Sequence, residues 1–87
     1  MYHVYFIRSL AIPNLRYKGF TEDDPHDRLR EHNGNHHGFT AGKGPWELVS
    51  YVTFKHKKTA LQFEKYVKQG SGWAVAIKRF YGEDDNN

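Results

Sequence analysis

Two strand-like segments joined by a short turn begin the chain and constrain its fold more than any later feature. Residues 2–9 are rich in aromatic and β-branched side chains, which favour strands. Pro13 and Asn14 mark a turn, and residues 15–20 have the composition of a second strand. The pair predicts an antiparallel hairpin whose first strand has two distinct faces. These faces are Tyr2, Val4 and Phe6 on one side, and His3, Tyr5 and Ile7 on the other.

The remainder of the chain predicts three helices and one further strand. Asp24 can cap a helix and Pro25 fits its first turn, so a helix begins there and stops at Gly34. The later elements are a glycine-rich loop at 34–45, a strand at 46–54, a helix at 57–69, and a helix at 72–80 capped by Ser71. The order β-β-α-β-α-α predicts an α+β domain with a three-stranded mixed or antiparallel sheet flanked by helices.

The size and composition of the chain exclude several classes of protein. Its 87 residues make one small domain, and the absence of cysteine excludes disulfides and thiolate zinc sites. No apolar run could cross a membrane and no signal peptide is visible, so we expect a soluble, cytoplasmic protein without a membrane partner. Residues 1–82 should form the domain, with residues 83–87 as a flexible acidic tail.

The part of the chain expected to fold is basic. Residues 1–82 carry 13 Lys and Arg side chains against seven Asp and Glu side chains. This balance suits a polyanionic partner such as nucleic acid, and ordinary solubility explains it equally well. Charge alone therefore leaves the partner open.

The first predicted helix lacks the apolar stripe that normally docks a helix. Leu29 is its one aliphatic residue, while Arg28 and His32 lie one turn apart on the same face. The helix either presents Arg28 and His32 to a cleft beside the hairpin, or is a marginal, solvated helix with paired charges. The sequence leaves both interpretations open.

A carboxylate interrupts the apolar stripe of the second predicted helix. Ala60, Phe63 and Val67 mark the inward face, and Glu64 lies within that stripe. Burying an unpaired carboxylate is costly, so Glu64 would need a cation or a metal ion beside it. Alternatively, Glu64 flanks the stripe and pairs with Lys68 in water. A glycine inside the second strand, Gly19, indicates a bulge or the close approach of another group.

At these residues the chain resembles the GIY-YIG endonuclease superfamily, especially its small, stand-alone, single-domain bacterial members. The resemblance covers residues 2–81, and it depends on the order and spacing of several short blocks. These are His3-Val4-Tyr5, Tyr17-Lys18-Gly19, residues 28–33 (Arg-Leu-Arg-Glu-His-Asn), residues 45–49 (Pro-Trp-Glu-Leu-Val), residues 60–65 (Ala-Leu-Gln-Phe-Glu-Lys) and residues 68–72 (Lys-Gln-Gly-Ser-Gly).

The resemblance implies a metal-dependent DNA endonuclease that hydrolyses phosphodiester bonds. The resemblance implies that Tyr5 is the general base, or part of it, and that Tyr17 supports the water or the phosphate. Arg28 would stabilise the charge of the phosphate, and His32 would contact the phosphate or the leaving group. Glu64 would be the single protein ligand of one Mg²⁺ or Mn²⁺ ion. Further contacts to nucleic acid are expected from Lys18, Arg30, His37 and Lys43. Free tyrosine has a pKa of about 10, so Arg28 and a metal-bound water would have to favour proton acceptance by Tyr5.

Three positions depart from the pattern of that superfamily. Lys18 replaces a branched aliphatic residue, where it either contacts phosphate or faces solvent. Phe20 occupies a position where some members have lysine, and Trp73 stands where arginine is common. A catalytically silent nucleic-acid-binding module therefore remains the main alternative, and a protein-interaction domain is a third. We expect a monomer or a weak dimer.

Overall fold

The computed structural model describes residues 1–34 and 37–83. Its strands are β1 (Tyr2–Ser9), β2 (Arg16–Thr21) and β3 (Trp46–Phe54), and its helices are α1 (Pro25–Gly34), α2 (Lys57–Val67) and α3 (Gly70–Val75). A π-helical segment, Ala76–Phe80, continues α3. The three strands form one sheet in the order β2-β1-β3, and β1 is antiparallel to both neighbours. The predicted α+β class and element order are confirmed, and the sheet is antiparallel rather than mixed.

Each face of β1 contributes to a different hydrophobic cluster, as the strand alternation predicts. Val4 and Phe6 are fully buried in one cluster, beneath α2, α3 and the π-helical segment. Tyr5 and Ile7 are buried in the other cluster, beside Trp46 and near α1. The sheet therefore separates an apolar core, which also includes Tyr81, from a second core that contains the Tyr5 phenol.

Gly19 allows the close approach of a side chain, which is one of the two possibilities that the sequence indicates. It pairs with Tyr5 across the β1–β2 ladder. A Cβ atom at Gly19 would lie 2.5 Å from the Tyr5 hydroxyl oxygen and 2.8 Å from Cζ of the same ring. The register shift of the sheet lies elsewhere, between Phe6 and Ile7 where β1 pairs with β3. Glycine at position 19 thus makes room for the Tyr5 phenol.

Polar contacts dock α1, which compensates for its lack of aliphatic side chains. The Asn33 side chain accepts a hydrogen bond from the Trp46 backbone N–H (2.6 Å) and donates one to the Trp46 carbonyl oxygen (3.1 Å). Leu29 packs against the cluster around Tyr5, and His32 is 5% exposed. The helix therefore packs against the sheet with His32 buried, so it is not a solvated element.

The C-terminal helices differ from the prediction at their ends. Helix α2 stops at Val67, two residues before the expected end, and α3 begins at Gly70. Ser71 is not the cap, because the N-cap residue is Gln69 and its side chain makes no capping hydrogen bond. The chain turns between the two helices with Gly70 at a φ of +57°, a conformation that glycine adopts without strain. The stripe predicted for residues 73–80 does pack against the apolar core.

The last described residues pack against the hairpin. Tyr81 is 4% exposed, and its hydroxyl lies 3.0 Å from the Ile7 carbonyl oxygen and 2.9 Å from that of Tyr17. Glu83, the first residue of the expected tail, pairs with Arg16 at 2.6 Å. Residues 84–87, the rest of that tail, lie outside the described residues. In the described part of the chain, no helix has the length and apolar character needed to span a membrane.

Candidate active site

Three side chains joined by hydrogen bonds connect β1, α1 and the loop before β3. The Tyr5 hydroxyl oxygen lies 2.7 Å from Nε2 of His32, and Nδ1 of His32 lies 2.8 Å from Oγ1 of Thr40. All three residues are buried. The Trp46 indole N–H donates to the Thr40 carbonyl oxygen at 3.1 Å, which fixes the loop that carries Thr40. Strand, helix and loop thus hold one phenol and one imidazole in direct contact.

The pKa shifts of Tyr5 and His32 favour one assignment of their protons. Burial, followed by the charge of Arg28, lowers the pKa of His32, so its ring is neutral at neutral pH and carries one N–H. Burial raises the pKa of Tyr5 to about 12 and outweighs the opposing effect of Arg28. With a neutral imidazole and a protonated phenol, the Tyr5 hydroxyl donates a hydrogen bond to Nε2 of His32. The Nδ1–H of His32 then donates one to Oγ1 of Thr40. Arg28 does lower the pKa of Tyr5, which is the direction expected of it from the sequence, but burial has the larger effect.

Tyr17 and Phe39 extend this group of side chains towards the surface. The Tyr17 ring lies 5.2 Å from the His32 ring and 6.5 Å from the Tyr5 ring, measured between centroids. Its other neighbour is Phe39, stacked at 5.7 Å and 52% exposed. A concavity of about 100 Å³ opens here, lined by Tyr17, Arg28, His32, His37, Gly38, Phe39 and Thr40.

Arg28 supplies a partly exposed positive charge to the same concavity. Its side chain is 32% exposed, and Nη1 donates a hydrogen bond to Oε2 of Glu31 at 2.9 Å. Arg28 also interacts electrostatically with the Tyr5 hydroxyl. The guanidinium is thus positioned by one carboxylate on its own helix, and its five N–H groups exceed what that carboxylate uses.

Glu64 approaches the phenol from the other side of the sheet. Helix α2 packs over the Phe6 face, and the Glu64 side chain is 19% exposed with Oε2 3.2 Å from Nζ of Lys68. Its charge contributes to the raised pKa of Tyr5, after the larger effect of burial. The sequence left open whether Glu64 is covered or pairs with Lys68, and the structure shows both. The carboxylate is largely covered, and Lys68 is its partner.

The donor set around Glu64, a single carboxylate, suits a hard, hydrated cation better than zinc. Within residues 1–34 and 37–83, no cluster of three or more His, Cys, Asp or Glu side chains could hold an ion. Zinc sites need three or four protein ligands, whereas Mg²⁺ keeps most of its waters and takes one or two carboxylates. A single, largely covered carboxylate satisfies that requirement, and Glu64 lies on the Phe6 side of the sheet rather than among the residues that line the concavity.

The basic residues expected to contact nucleic acid lie in different places. His37 lines the concavity, and Nζ of Lys43 lies 3.8 Å above the ring of Phe39. Arg30 is 72% exposed on α1 and pairs with Asp27. Lys18 lies on the opposite face of the sheet, with Nζ 3.8 Å above the Trp73 ring.

Phe39 and Thr40 are site residues that the sequence analysis missed. They belong to the segment assigned as a glycine-rich loop, which has no periodic pattern to indicate an inward face. The one available signal was that Phe39 and Thr40 interrupt a run of small and polar residues with an aromatic and a β-branched side chain.

The lowered pKa of His32 should make the stability of the protein depend on pH. The unfolded chain binds a proton at this residue more readily than the folded chain, so protonation favours unfolding. Its contribution is complete above about pH 6.5 and is lost as the pH falls below that value. Urea unfolding from about pH 8 to about pH 5 should show a larger loss of stability for the wild type than for His32→Gln. Equal losses in both proteins would contradict the neutral, buried imidazole.

Comparisons with known proteins give the family of the chain. The family model described as the GIY-YIG catalytic domain matches residues 1–73. A structure-specific endonuclease subunit SLX1 from Scheffersomyces stipitis is 40% identical over 70 residues, which cover 72% of this chain and 20% of that protein. The protein of the same description from Malassezia globosa is 43% identical over 68 residues, which cover 74% of this chain and 15% of that protein.

The relatives are much longer than the region they share with this chain. A third protein described as structure-specific endonuclease subunit SLX1, from Kluyveromyces lactis, is 40% identical over 70 residues, and the match covers 72% of this chain and 24% of its own length. The chain thus spans at most about a quarter of these three proteins. The family match itself includes all three strands, α1 and α2. The chain therefore belongs to the GIY-YIG catalytic domain family.

Proposed function

We propose that the protein is a DNA endonuclease that hydrolyses phosphodiester bonds with the help of one divalent metal ion. The observation that carries the proposal is the set of hydrogen bonds from Tyr5 through His32 to Thr40, because His32 and Thr40 line one concavity together with Arg28. The relatives described as structure-specific endonuclease subunits support the same reaction, and the excess of basic residues suits a DNA substrate.

The proton of the attacking water passes through Tyr5 to His32. As the water oxygen forms its bond to phosphorus, the Tyr5 oxygen takes the water proton and releases its own proton to Nε2 of His32. The phenol is thus never a free phenolate, which its pKa of about 12 would make rare at neutral pH. His32 ends the step as an imidazolium, and its Nδ1–H keeps the hydrogen bond to Thr40.

Arg28 offsets the negative charge that develops on the phosphate. When the bond between phosphorus and the leaving oxygen breaks, the leaving oxygen takes a proton from solvent. A guanidinium donates two parallel hydrogen bonds to phosphate oxygens, and its charge is most effective in a covered site. Tyr17, packed against the His32 ring, borders the space for the water and phosphate.

Glu64 is the residue that would hold the metal ion, either Mg²⁺ or Mn²⁺. The bound ion would neutralise phosphate charge as a Lewis acid. In the structure the Glu64 carboxylate pairs with Nζ of Lys68. For the ion to bind, Lys68 must move away or share the carboxylate with it. The remaining ligands would be waters and phosphate oxygens, as is usual for Mg²⁺ at phosphate sites.

Plasmid nicking in the presence of Mg²⁺ or Mn²⁺ tests the proposal. Glu64→Gln should lower the nicking rate roughly 100-fold or more, because the metal loses its protein ligand. Glu47→Gln is the matched control, since Glu47 is a surface carboxylate paired with Arg8 on the strands, and it should cleave like the wild type. No nicking by the wild type under any metal, or equal nicking by both variants, would refute the nuclease assignment.

A silent DNA-binding module is the second candidate, and the Glu64–Lys68 pair favours it. A carboxylate neutralised by a lysine has less charge to offer a metal ion. This candidate predicts salt-sensitive binding of DNA with no cleavage at any metal concentration. The nicking assay above separates the two candidates directly.

A further inference from the structure

A groove of about 370 Å³ runs along the outer edge of β2. This strand is at the edge of the sheet, so its outer side is not covered by another strand. The groove is lined by Arg16, Tyr17, Lys18, Phe39 and Lys68. Three of these five side chains are cations, and none is acidic.

The cations of the groove differ in how their charges are balanced. Arg16 pairs with Glu83 at 2.6 Å, and Lys68 pairs with Glu64 at 3.2 Å. Lys18 has no carboxylate partner among residues 1–34 and 37–83, and Nζ lies over an aromatic ring instead. Burial, followed by the charge of Lys68, lowers the pKa of Lys18. An anion beside Lys18 would favour its charged form and so oppose both effects.

The groove and the catalytic concavity share a wall. Tyr17 and Phe39 line both of them. The Phe39 ring has Tyr17 on one side and Nζ of Lys43 near its face, which extends the positive surface at the junction. A chain of phosphates entering the concavity would therefore continue into the groove at the edge of β2.

We propose that this groove is a second phosphate site, in which Lys18 and Lys68 bind the backbone of the substrate strand beside the phosphate that is cleaved. The inference rests on the proposed function in one respect, namely that the polyanion is DNA. Trp73 holds Lys18 in place through the contact of its ring with Nζ. Contacts of this kind position the strand and read no bases.

Protection of a free strand edge is the simpler explanation of a lysine on β2. Edge strands often carry lysine, which prevents pairing with another chain. That role needs an exposed side chain, whereas Lys18 is partly buried against Trp73 and close enough to Lys68 for the two charges to repel. Edge protection therefore does not account for the clustering of the cations.

Binding of a short labelled DNA duplex, measured in EDTA across a salt series, tests the inference without any need for turnover. Lys18→Gln should weaken binding by roughly fivefold, the size expected for one partly exposed charge contact. It should also make the slope of log K against log salt smaller by about 1, because one phosphate contact is lost. Lys18→Arg should keep the affinity and slope of the wild type.

Lys65→Gln is the matched control, because it removes one charge from the exposed face of α2 near Lys68. It should leave the slope unchanged. An unchanged slope for Lys18→Gln, or an equal reduction in both variants, would overturn the inference. If the wild type cleaves DNA but Lys18→Gln binds like the wild type, the second phosphate site alone fails. If binding depends on Lys18 and no cleavage occurs, the nuclease assignment fails and the site stands.

Discussion

Tyr5→Phe is expected to lower the cleavage rate about 10²- to 10⁴-fold, the usual range for loss of a general acid–base group. Phenylalanine keeps the ring that packs in the second core and removes the oxygen that bridges the water and His32. Single-turnover nicking with enzyme in excess measures this step without interference from product release. Tyr51→Phe is the control, because Tyr51 is 44% exposed on β3 and contacts the rings of His3 and His26.

The loss of rate must be distinguished from a loss of fold. Removing the Tyr5 hydroxyl leaves Nε2 of buried His32 without its partner, which costs about 1–3 kcal/mol of stability. Urea unfolding of the same preparation measures that cost. A variant that is folded and still cleaves like the wild type would show that the water is activated without the phenol.

Gly72→Ala is expected to lower the free energy of unfolding by about 3 kcal/mol or more. Gly72 is buried in the first turn of α3, where a Cβ atom would overlap the carbonyl oxygen of Tyr66 at the end of α2. That oxygen belongs to the backbone, so no side-chain rotation relieves the overlap. The corner between α2 and α3 would have to open, which would expose Val67 and Ala76 of the apolar core.

Gly34→Ala is the matched control for the effect of alanine itself. Gly34 ends α1, and a Cβ atom there meets no other group within 4 Å. Because alanine favours a helix over glycine by up to about 1 kcal/mol, this variant should be as stable as the wild type or more so. Equal stability of Gly72→Ala and wild type would mean that the α2–α3 corner can widen at no cost.

The fold was largely predictable because its signals are local. Strand alternation placed Tyr5 and Phe6 on opposite faces, and both faces proved to be buried in separate cores. Helix spacing placed Arg28 and His32 together, but it left two interpretations of α1 open. What decides between the two interpretations is the pair of hydrogen bonds between the Asn33 side chain and the Trp46 backbone. These bonds join α1 to β3, and the sequence gives no local signal for them.

The chemistry of the site was less predictable, since it depends on burial and on loop closure. The pKa of Tyr5 follows from how much water the folded chain excludes, and sequence gives no measure of that. Thr40 became a partner of His32 through a loop without periodicity. Lys18 and Trp73 were both recognised as unusual residues, but their contact across the α2 face of the sheet is visible only in three dimensions.

The position of Tyr81 has a consequence for how the protein is made. Its hydroxyl contacts carbonyl oxygens of β1 and β2, which precede it in the chain by more than 60 residues. During translation the hairpin therefore leaves the ribosome long before the residue that completes its core. Contacts between such distant parts of a chain form slowly, because the intervening segment must be closed into a loop first. The domain thus acquires its final packing only after residue 81 has emerged, and the covering of the apolar face of β1 that α2 and α3 begin is complete only then.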